Sequence, residues 1–352
     1  MLRFQESILS WYDKNKRDLP WRNTAFPYFI WISEVILQQT RVEQGLPFYH
    51  RFVERFPNVQ SLAAADENEV LAVWKGLGYY SRARKLHHAA KMIVENGSSF
   101  PNSFKTLLEL PGIGPYTAGA IASIAYNEAV PALDGNAFRI MTRVFNISEP
   151  VSSSKAQKII DSLAKEWISK SRPGDFNQAL MDLGSSICVP RQPICPSCPL
   201  NEGCEAFSLG NFHDRPVKTP KKPQKNRFLL FEVHLSKKKM GLTKVSEGNI
   251  WKNLYLFPFR EFTNEEDWLS EVKSLKKEGG EILERGVHIL SHQKLHFFTQ
   301  VSTSTPSDSS RMKWVSEEEL QGVATPAIVA KILQQCKNQS SPYGLMLSLH
   351  HD

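Results

Sequence analysis

Four cysteines crowded into one short segment constrain this chain more than any other feature. Cys188, Cys195, Cys198 and Cys204 follow the spacing C-x6-C-x2-C-x5-C, while the fifth cysteine, Cys336, stands far from them. Four thiolates from a single loop suit a structural zinc or an iron–sulfur cluster. Common zinc patterns use two C-x-x-C pairs, and only one such pair is present here. The N-terminus, MLRFQESILSWYDKNKRDLPW, has no charged stub leading into an apolar run and a small-residue cleavage site, so no signal peptide is expected. No segment is apolar and long enough to span a bilayer. The expectation is therefore a cytoplasmic protein without a membrane partner, in which clustered cysteines mean metal rather than disulfides.

The chain has 352 residues, of which 41% are hydrophobic and 22% charged. That balance describes a folded chain long enough for more than one core. From residue 1 to about 209 the pattern is one of amphipathic helices, including 62–74, 83–95 and 154–169, and this part reads as all-α. Residues 210–227 (GNFHDRPVKTPKKPQKNR) are rich in Pro and Lys and read as an extended, solvated linker. Beyond it, 228–235 and 240–245 read as strands joined at 236–239, a helix follows near 265–277, and strand-like runs at 287–290 and 295–301 precede a terminal helix around 326–336. This second domain, 228–340, is expected to be α+β, and 341–352 to be a loose tail. A net charge of +7 permits an anionic partner without showing one.

The stretch LLELPGIGPYTAGAIASIAY, residues 107–126, contains a helix end, the turn Pro111-Gly112-Ile113-Gly114 and a second, Ala-rich helix. Gly112 and Gly114 let the backbone bend sharply. The amides they expose, with the start of the next helix, offer donors to a phosphate oxygen. The string LPGIGPYTAGAI, followed by VPALDGN at 130–136, resembles the helix-hairpin-helix DNA glycosylases of the endonuclease III superfamily, and within it the MutY-type adenine glycosylases. The likeness runs from about Trp21 through Cys204 and resumes more weakly in the second domain. It implies a multidomain fold: an all-α helix-hairpin-helix glycosylase domain over 1–209 that includes the cysteine loop 188–204, and an α+β Nudix-like lesion-recognition domain. The cysteine spacing is similar to the loop that holds a [4Fe–4S] cluster in those families.

Two carboxylates stand out. Glu34 is the only acid in FIWISEVILQQTR, and helical spacing puts Trp31, Glu34, Gln38 and Arg41 along one side. Periodicity alone favours an exposed Glu paired with Gln38. In a cleft, burial would instead raise its pKa and keep it protonated as a general acid. Asp134 sits where a helix starts, and capping that helix is compatible with catalysis. Breaking an N-glycosidic bond needs a proton for the departing base and negative charge near an oxocarbenium-like sugar, which two carboxylates in distinct environments can supply. The resemblance implies that Glu34 is the proton donor to adenine, that Asp134 stabilises the sugar cation or its intermediate, and that Tyr116 and Asn136 support this centre. Bifunctional relatives carry a Schiff-base Lys at the position of Tyr116, so the reaction implied here is monofunctional.

The same resemblance places Arg17, Trp21, Arg22 and Gln178 in an adenine pocket that receives a flipped-out base. It makes Gln39, Thr40 and Tyr79 contacts to the opened stack, Tyr79 lying in GLGYYSR at 76–82. Leu290-Ser291-His292 is similar to the Phe-Ser-His loop that senses 8-oxoguanine, with Leu in place of Phe. The implied partner is duplex DNA with an adenine mispaired with 8-oxoguanine or guanine, bound by a monomer at the nucleoid. Three other readings compete. A Nudix hydrolase needs an Arg-Glu and clustered-Glu helix, and 265–280 lacks that arrangement. A zinc-held DNA-binding module would leave Glu34 and Asp134 incidental. A sibling glycosylase could act on thymine, against which Gln178 and the second domain argue.

Overall fold

The computed structural model describes residues 2–219, 223–246, 250–303, 306 and 309–338; the expected tail at 341–352 lies outside them. The chain divides into two compact units, one made of Met1–Ala65 with Ser81–Pro220, the other of Asp66–Tyr80 with Lys221–Asp352. The divide near residue 220 falls inside the Pro/Lys-rich stretch. The first half of that stretch is not the free, solvated linker expected. Val151 N–H donates to Val217 O, and Phe212–Asp214 form a short 3-10 turn. The Arg143 guanidinium explains the difference, since its Nε donates to both Phe212 O and Arg215 O at 3.1 and 3.2 Å.

Within the described residues the first unit is helical: α1 (Leu2–Asn15), α2 (Pro27–Leu37), α3 (Val42–Arg55) and α4 (Val59–Ala64). The short α5 (Glu67–Val73) belongs to the second unit. Next come α6 (Ser81–Glu95), α7 (Phe104–Leu107), α8 (Pro115–Tyr126), α9 (Gly135–Val144), α10 (Ser154–Trp167), α11 (Pro173–Ser186) and α12 (Glu205–Ser208). The helix expected over 62–74 is two helices. Ala65 is extended and the Asp66 side chain caps α5 by accepting from Asn68 N–H. A short acidic side chain there competes for the backbone and starts a new helix.

Helix α2 buries Ile30, Trp31, Ile32, Val35 and Ile36, and α8 buries Ala118, Ala120, Ile121 and Ala122. A helix apolar all round belongs in an interior, and these two pack against each other there. Helix α2 stops at Leu37 because Arg82 Nη1 takes the carbonyls of Val35, Ile36 and Gln38 at 2.8, 3.1 and 2.5 Å. Arg41 is therefore the N-cap of α3 rather than part of the Glu34 face. Helix α11 lies close to α9 because Gly184 has no side chain. A Cβ there would sit 2.4 Å from Asn136 Cβ.

The second unit is a mixed sheet with helices, and β1 (Lys225–Ser236) is its spine. It continues with β2 (Lys239–Lys244), β3 (Tyr255–Leu256), β4 (Phe259–Phe262), α13 (Glu265–Lys277), β5 (Glu281–Ile282), β6 (Gly286–Ile289), β7 (Gln293–Ser302), β8 (Lys313–Val315) and α14 (Ala327–Asn338). β1 pairs in parallel with β7, from Lys225↔Gln293 to His234↔Ser302, and antiparallel with β4 and β2. A parallel pair requires a long crossover, and 237–292 supplies it. Leu229, Leu230, Phe231, Phe257, Trp268 and Phe297 fill the core. Trp268 Nε1 donates to Leu229 O at 2.9 Å and pins α13 to the sheet. Among the described residues no helix is long and apolar enough to cross a membrane.

Candidate active site

Glu34 lies in the interior face of α2 and is only 6% exposed. It is not the exposed partner of Gln38 that periodicity suggested. Gln38 Nε2 turns instead to Thr117 Oγ1 at 3.4 Å. Burial pushes the Glu34 carboxyl up to about 7; a hydrogen bond from Tyr116 opposes this, the Asp134 charge adds to it, and Arg22 opposes it. Near neutral pH such a group still holds its proton and can give it away. Tyr116, on the first turn of α8, is driven well above the ordinary phenol range, first by its own burial and then by Glu34. Its hydroxyl also lies 3.8 Å from Met181 Sδ.

Asp134 is the N-cap of α9. Its Oδ1 accepts from Ala137 N–H at 2.7 Å and its Oδ2 from Asn136 Nδ2 at 2.8 Å. Its carboxyl lies above the usual range, because burial raises it by more than these hydrogen bonds and the nearby Arg139 charge lower it. The two carboxyl groups thus differ in kind. Burial raises both, but Glu34 takes a single opposing hydrogen bond, from Tyr116, whereas Asp134 accepts donors at a helix N-terminus that offset part of its rise.

Asn136 is held in turn, since Arg139 Nη2 donates to its Oδ1 at 2.8 Å and to Gly184 O at 2.6 Å, while Arg139 Nε donates to Cys188 O at 2.7 Å. One turn on, Arg143 places Nη1 3.3 Å from Cys188 Sγ and 2.9 Å from Val189 O, and Nη2 3.0 Å from Pro190 O. Sequence reading missed both arginines. Their signal is an i, i+4 pair of cations on the otherwise apolar face of GNAFRIMTRV. It also missed Asp182, an acid buried in α11 to 2% exposure. Asp182 Oδ1 is 2.7 Å from Arg17 Nε and 2.9 Å from Arg22 Nη2, and its Oδ2 is 2.5 Å from Arg22 Nη1. Burial alone would raise the Asp182 carboxyl, but the two guanidiniums outweigh it and hold it low.

The first unit therefore groups Glu34, Tyr116, Asp134 and Asn136, and gathers Arg17 and Arg22 on Asp182. Trp21 is buried edge-on against Tyr49, with ring centroids 5.0 Å apart. Gln178 is 8% exposed and its amide takes no hydrogen bond from any described residue. In the hairpin, Gly112 has φ +84 and a Cβ there would lie 2.8 Å from Lys85 Cβ, so only glycine fits. Gly114 is the N-cap of α8 and no side chain caps the helix, which leaves first-turn amides open to an anion. Gln39 and Tyr79 are exposed residues with left-handed backbone, φ 60 and 47, a conformation rare for non-glycine residues. Thr40 N–H donates to Leu37 O. Leu290, Ser291 and His292 form the tip of the β6–β7 hairpin in the second unit, closed by Leu290 N–H to Gln293 O at 2.9 Å.

The four clustered cysteines line one apolar cavity with Ile140, Val144, Leu183 and Leu200. Burial pushes the Cys198 thiol up to about 12 and raises those of Cys195 and Cys204 as well. Among the described residues, no three such side chains converge on a point that a single ion could occupy.

Residues 32–168 match the family model of the HhH-GPD superfamily base excision DNA repair protein, and residues 231–335 that of the NUDIX domain. An adenine DNA glycosylase of Buchnera aphidicola subsp. Acyrthosiphon pisum is 35% identical over 345 residues, covering 95% of this chain and 97% of its own. This chain belongs to the adenine DNA glycosylase family. A human adenine DNA glycosylase is 45% identical over 213 residues, which is 58% of this chain and 39% of that one. A thermostable thymine-DNA glycosylase structure superposes with a TM-score of 0.55 at 29% identity, covering 58% of this chain and 95% of its own. Adenine DNA glycosylase membership carries the expected fold with it: a helix-hairpin-helix glycosylase domain and a Nudix-like domain built on a mixed sheet. It also excludes a non-catalytic zinc module, because the family is one of DNA N-glycosylases.

Proposed function

We propose that this chain is a monofunctional adenine DNA glycosylase of base excision repair that hydrolyses the N-glycosidic bond of adenine opposite 8-oxoguanine or guanine in duplex DNA. The observation that carries the reading is the buried Glu34 carboxyl, raised to about 7 beside Tyr116 and Asp134. The adenine must leave the stack to reach it. Glu34 then gives its proton to the departing base, and the glycosidic electron pair goes to the adenine ring. Asp134, held by Ala137 N–H and Asn136, stabilises the sugar cation or its intermediate with its carboxylate until water adds at the same carbon and gives its proton to the Glu34 carboxylate. Tyr116 has no amine with which to form a Schiff base, so strand cutting does not follow. The free Gln178 amide, with Arg17, Trp21 and Arg22, suits the edge of the flipped base.

Gly112, Gly114, Gln39, Thr40 and Tyr79 are assigned to the DNA backbone and the opened stack, and Leu290, Ser291 and His292 to the base opposite. Residues 1–209 form the catalytic domain in this reading, 210–227 the linker and 228–340 the lesion-recognition domain. Cys188, Cys195, Cys198 and Cys204 fit a [4Fe–4S] cluster. Their sulfurs surround an apolar cavity instead of a single point, and Arg143 offers a charge to one of them. Bound there, the cluster would fix the loop as a structural brace. The protein is expected to act as a cytoplasmic monomer.

The test is single-turnover release of adenine from duplexes that differ only in the opposite base, 8-oxoguanine, guanine or thymine, with Glu34→Gln beside wild type. Fastest release opposite 8-oxoguanine, strand breaks only after alkali, and no release by the variant support substrate, chemistry and general acid together. Binding without release by wild type, or release of thymine in preference to adenine, overturns the proposal.

A further inference from the structure

The hairpin tip is an exposed element, yet its side chains are not loose. Ser291 Oγ lies 3.1 Å from His292 Nδ1, and the opposite ring nitrogen, Nε2, lies 3.2 Å from Gln293 Nε2. Gln293 is the first residue of β7 and is 6% exposed. Its Oε1 accepts from Arg227 Nη1 at 3.3 Å. Arg227 is fixed by Glu261 across the β1–β4 pair, with Nε and Nη2 donating to the two carboxylate oxygens at 2.7 and 2.6 Å. Backbone anchors complete the frame, since Gln224 Nε2 donates to Leu290 O at 2.8 Å and Lys225 N–H donates to His292 O at 3.2 Å.

This chain of bonds has a direction. Arginine has only donors, so the Gln293 group facing Arg227 is the carbonyl oxygen and the group facing His292 is the NH2. A donor at His292 Nε2 makes that nitrogen the acceptor and leaves the ring proton on Nδ1. Nδ1–H then donates to Ser291 Oγ, whose own hydroxyl hydrogen is free to point away from the protein. 8-Oxoguanine carries a carbonyl acceptor at C8, where guanine has only hydrogen, so an outward hydroxyl donor aimed at C8 rather than at N7 favours the oxidised base.

We propose that Gln293, oriented by Arg227 and Glu261, is a positioning residue for opposite-base specificity that sets the His292 tautomer and thereby turns the Ser291 hydroxyl outward as a donor. The inference rests on the reading of 290–292 as the element that senses the opposite base. With an acceptor in place of the Gln293 NH2, the proton moves to Nε2, Nδ1 becomes an acceptor, and the Ser291 hydroxyl turns inward to it.

The experiment uses the full chain in four forms: wild type, Gln293→Glu, Gln293→Met and His292→Ala. Two quantities are read: the 15N shifts of the histidine ring nitrogens, with His292→Ala identifying the signal, and the ratio of single-turnover adenine release opposite 8-oxoguanine to that opposite guanine. Expected are Nδ1–H in wild type, Nε2–H in Gln293→Glu, and a ratio lowered about tenfold by that variant, the worth of one hydrogen bond. Release opposite guanine stays unchanged. Gln293→Met removes the donor without adding an acceptor and gives a smaller fall with mixed tautomers. A wild-type proton on Nε2, or a ratio untouched by Gln293→Glu while His292→Ala lowers it, overturns the role of Gln293. A ratio untouched by His292→Ala removes the sensing role of the tip and this inference with it.

Discussion

The carboxylate pocket of the first unit and the hairpin tip of the second solve opposite problems with the same device. In the proposed function Glu34 must be out of water to keep a proton at neutral pH, and it is 6% exposed; Ser291 and His292 must be in water to meet a base, and both are exposed. Each is nonetheless held by side chains that fix its hydrogen bonding, Tyr116 in one case, Gln293 and Arg227 in the other. The difference teaches where changes should register. Desolvation dominates in the pocket, so substitutions there move chemistry and stability together. At the tip only hydrogen-bond direction is at stake, so substitutions move selectivity and little else.

The largest effect that would break this contrast is at Asp134. Asp134→Asn keeps a good N-cap for α9 while removing the charge, and single-turnover release should fall by about 10²–10³-fold, as for loss of one electrostatic stabiliser. The ratio between 8-oxoguanine and guanine substrates should stay as in wild type. Next is a stability effect of Glu34→Gln. The folded carboxyl is raised from 4.5 to about 7, so its contribution is fully present below about 4.5 and lost as pH rises through about 7. Urea unfolding should show the variant more stable than wild type by up to roughly 3 kcal/mol at pH 8, with the gain gone at pH 4. Gly112→Ala should cost about 1–2 kcal/mol from its left-handed backbone, plus the push against Lys85, and weaken DNA binding equally for all opposite bases in a salt-titrated assay. Smallest is Ser291→Ala. Its unfolding midpoint should match wild type within about 0.5 kcal/mol, with roughly a tenfold loss of preference for 8-oxoguanine as the sole change.

Legibility followed the same divide. The hairpin was readable because the left-handed turn at Gly112 demands glycine in a local string, and α13 because its Asn264 cap and apolar spacing are local. Glu34 was visible as a lone acid among apolar residues, but periodicity alone put it in solvent. Its burial depends on α8, which is remote in sequence. Arg139, Arg143 and Asp182 were missed for the same reason: each reads as an ordinary helix charge until distant segments meet, the 188–204 loop against α9 for the two arginines, and Arg17 and Arg22 against α11 for Asp182. The short strands β3, β4, β5 and β8 carry too few residues for a period to show, and exist because β1, β2 and β7 offer edges to pair with.

The most direct test of the central claim, that a buried Glu34 acts as the protonated acid, is the pH dependence of single-turnover adenine release between pH 5 and 9. The rate should fall as pH rises through about 7, by tenfold per unit once Glu34 has ionised. Any residual release by Glu34→Gln should lack that limb. A wild-type profile that is flat from pH 6 to 9, or a limb that persists in Glu34→Gln, would contradict the assignment and move the proton donor elsewhere in the pocket.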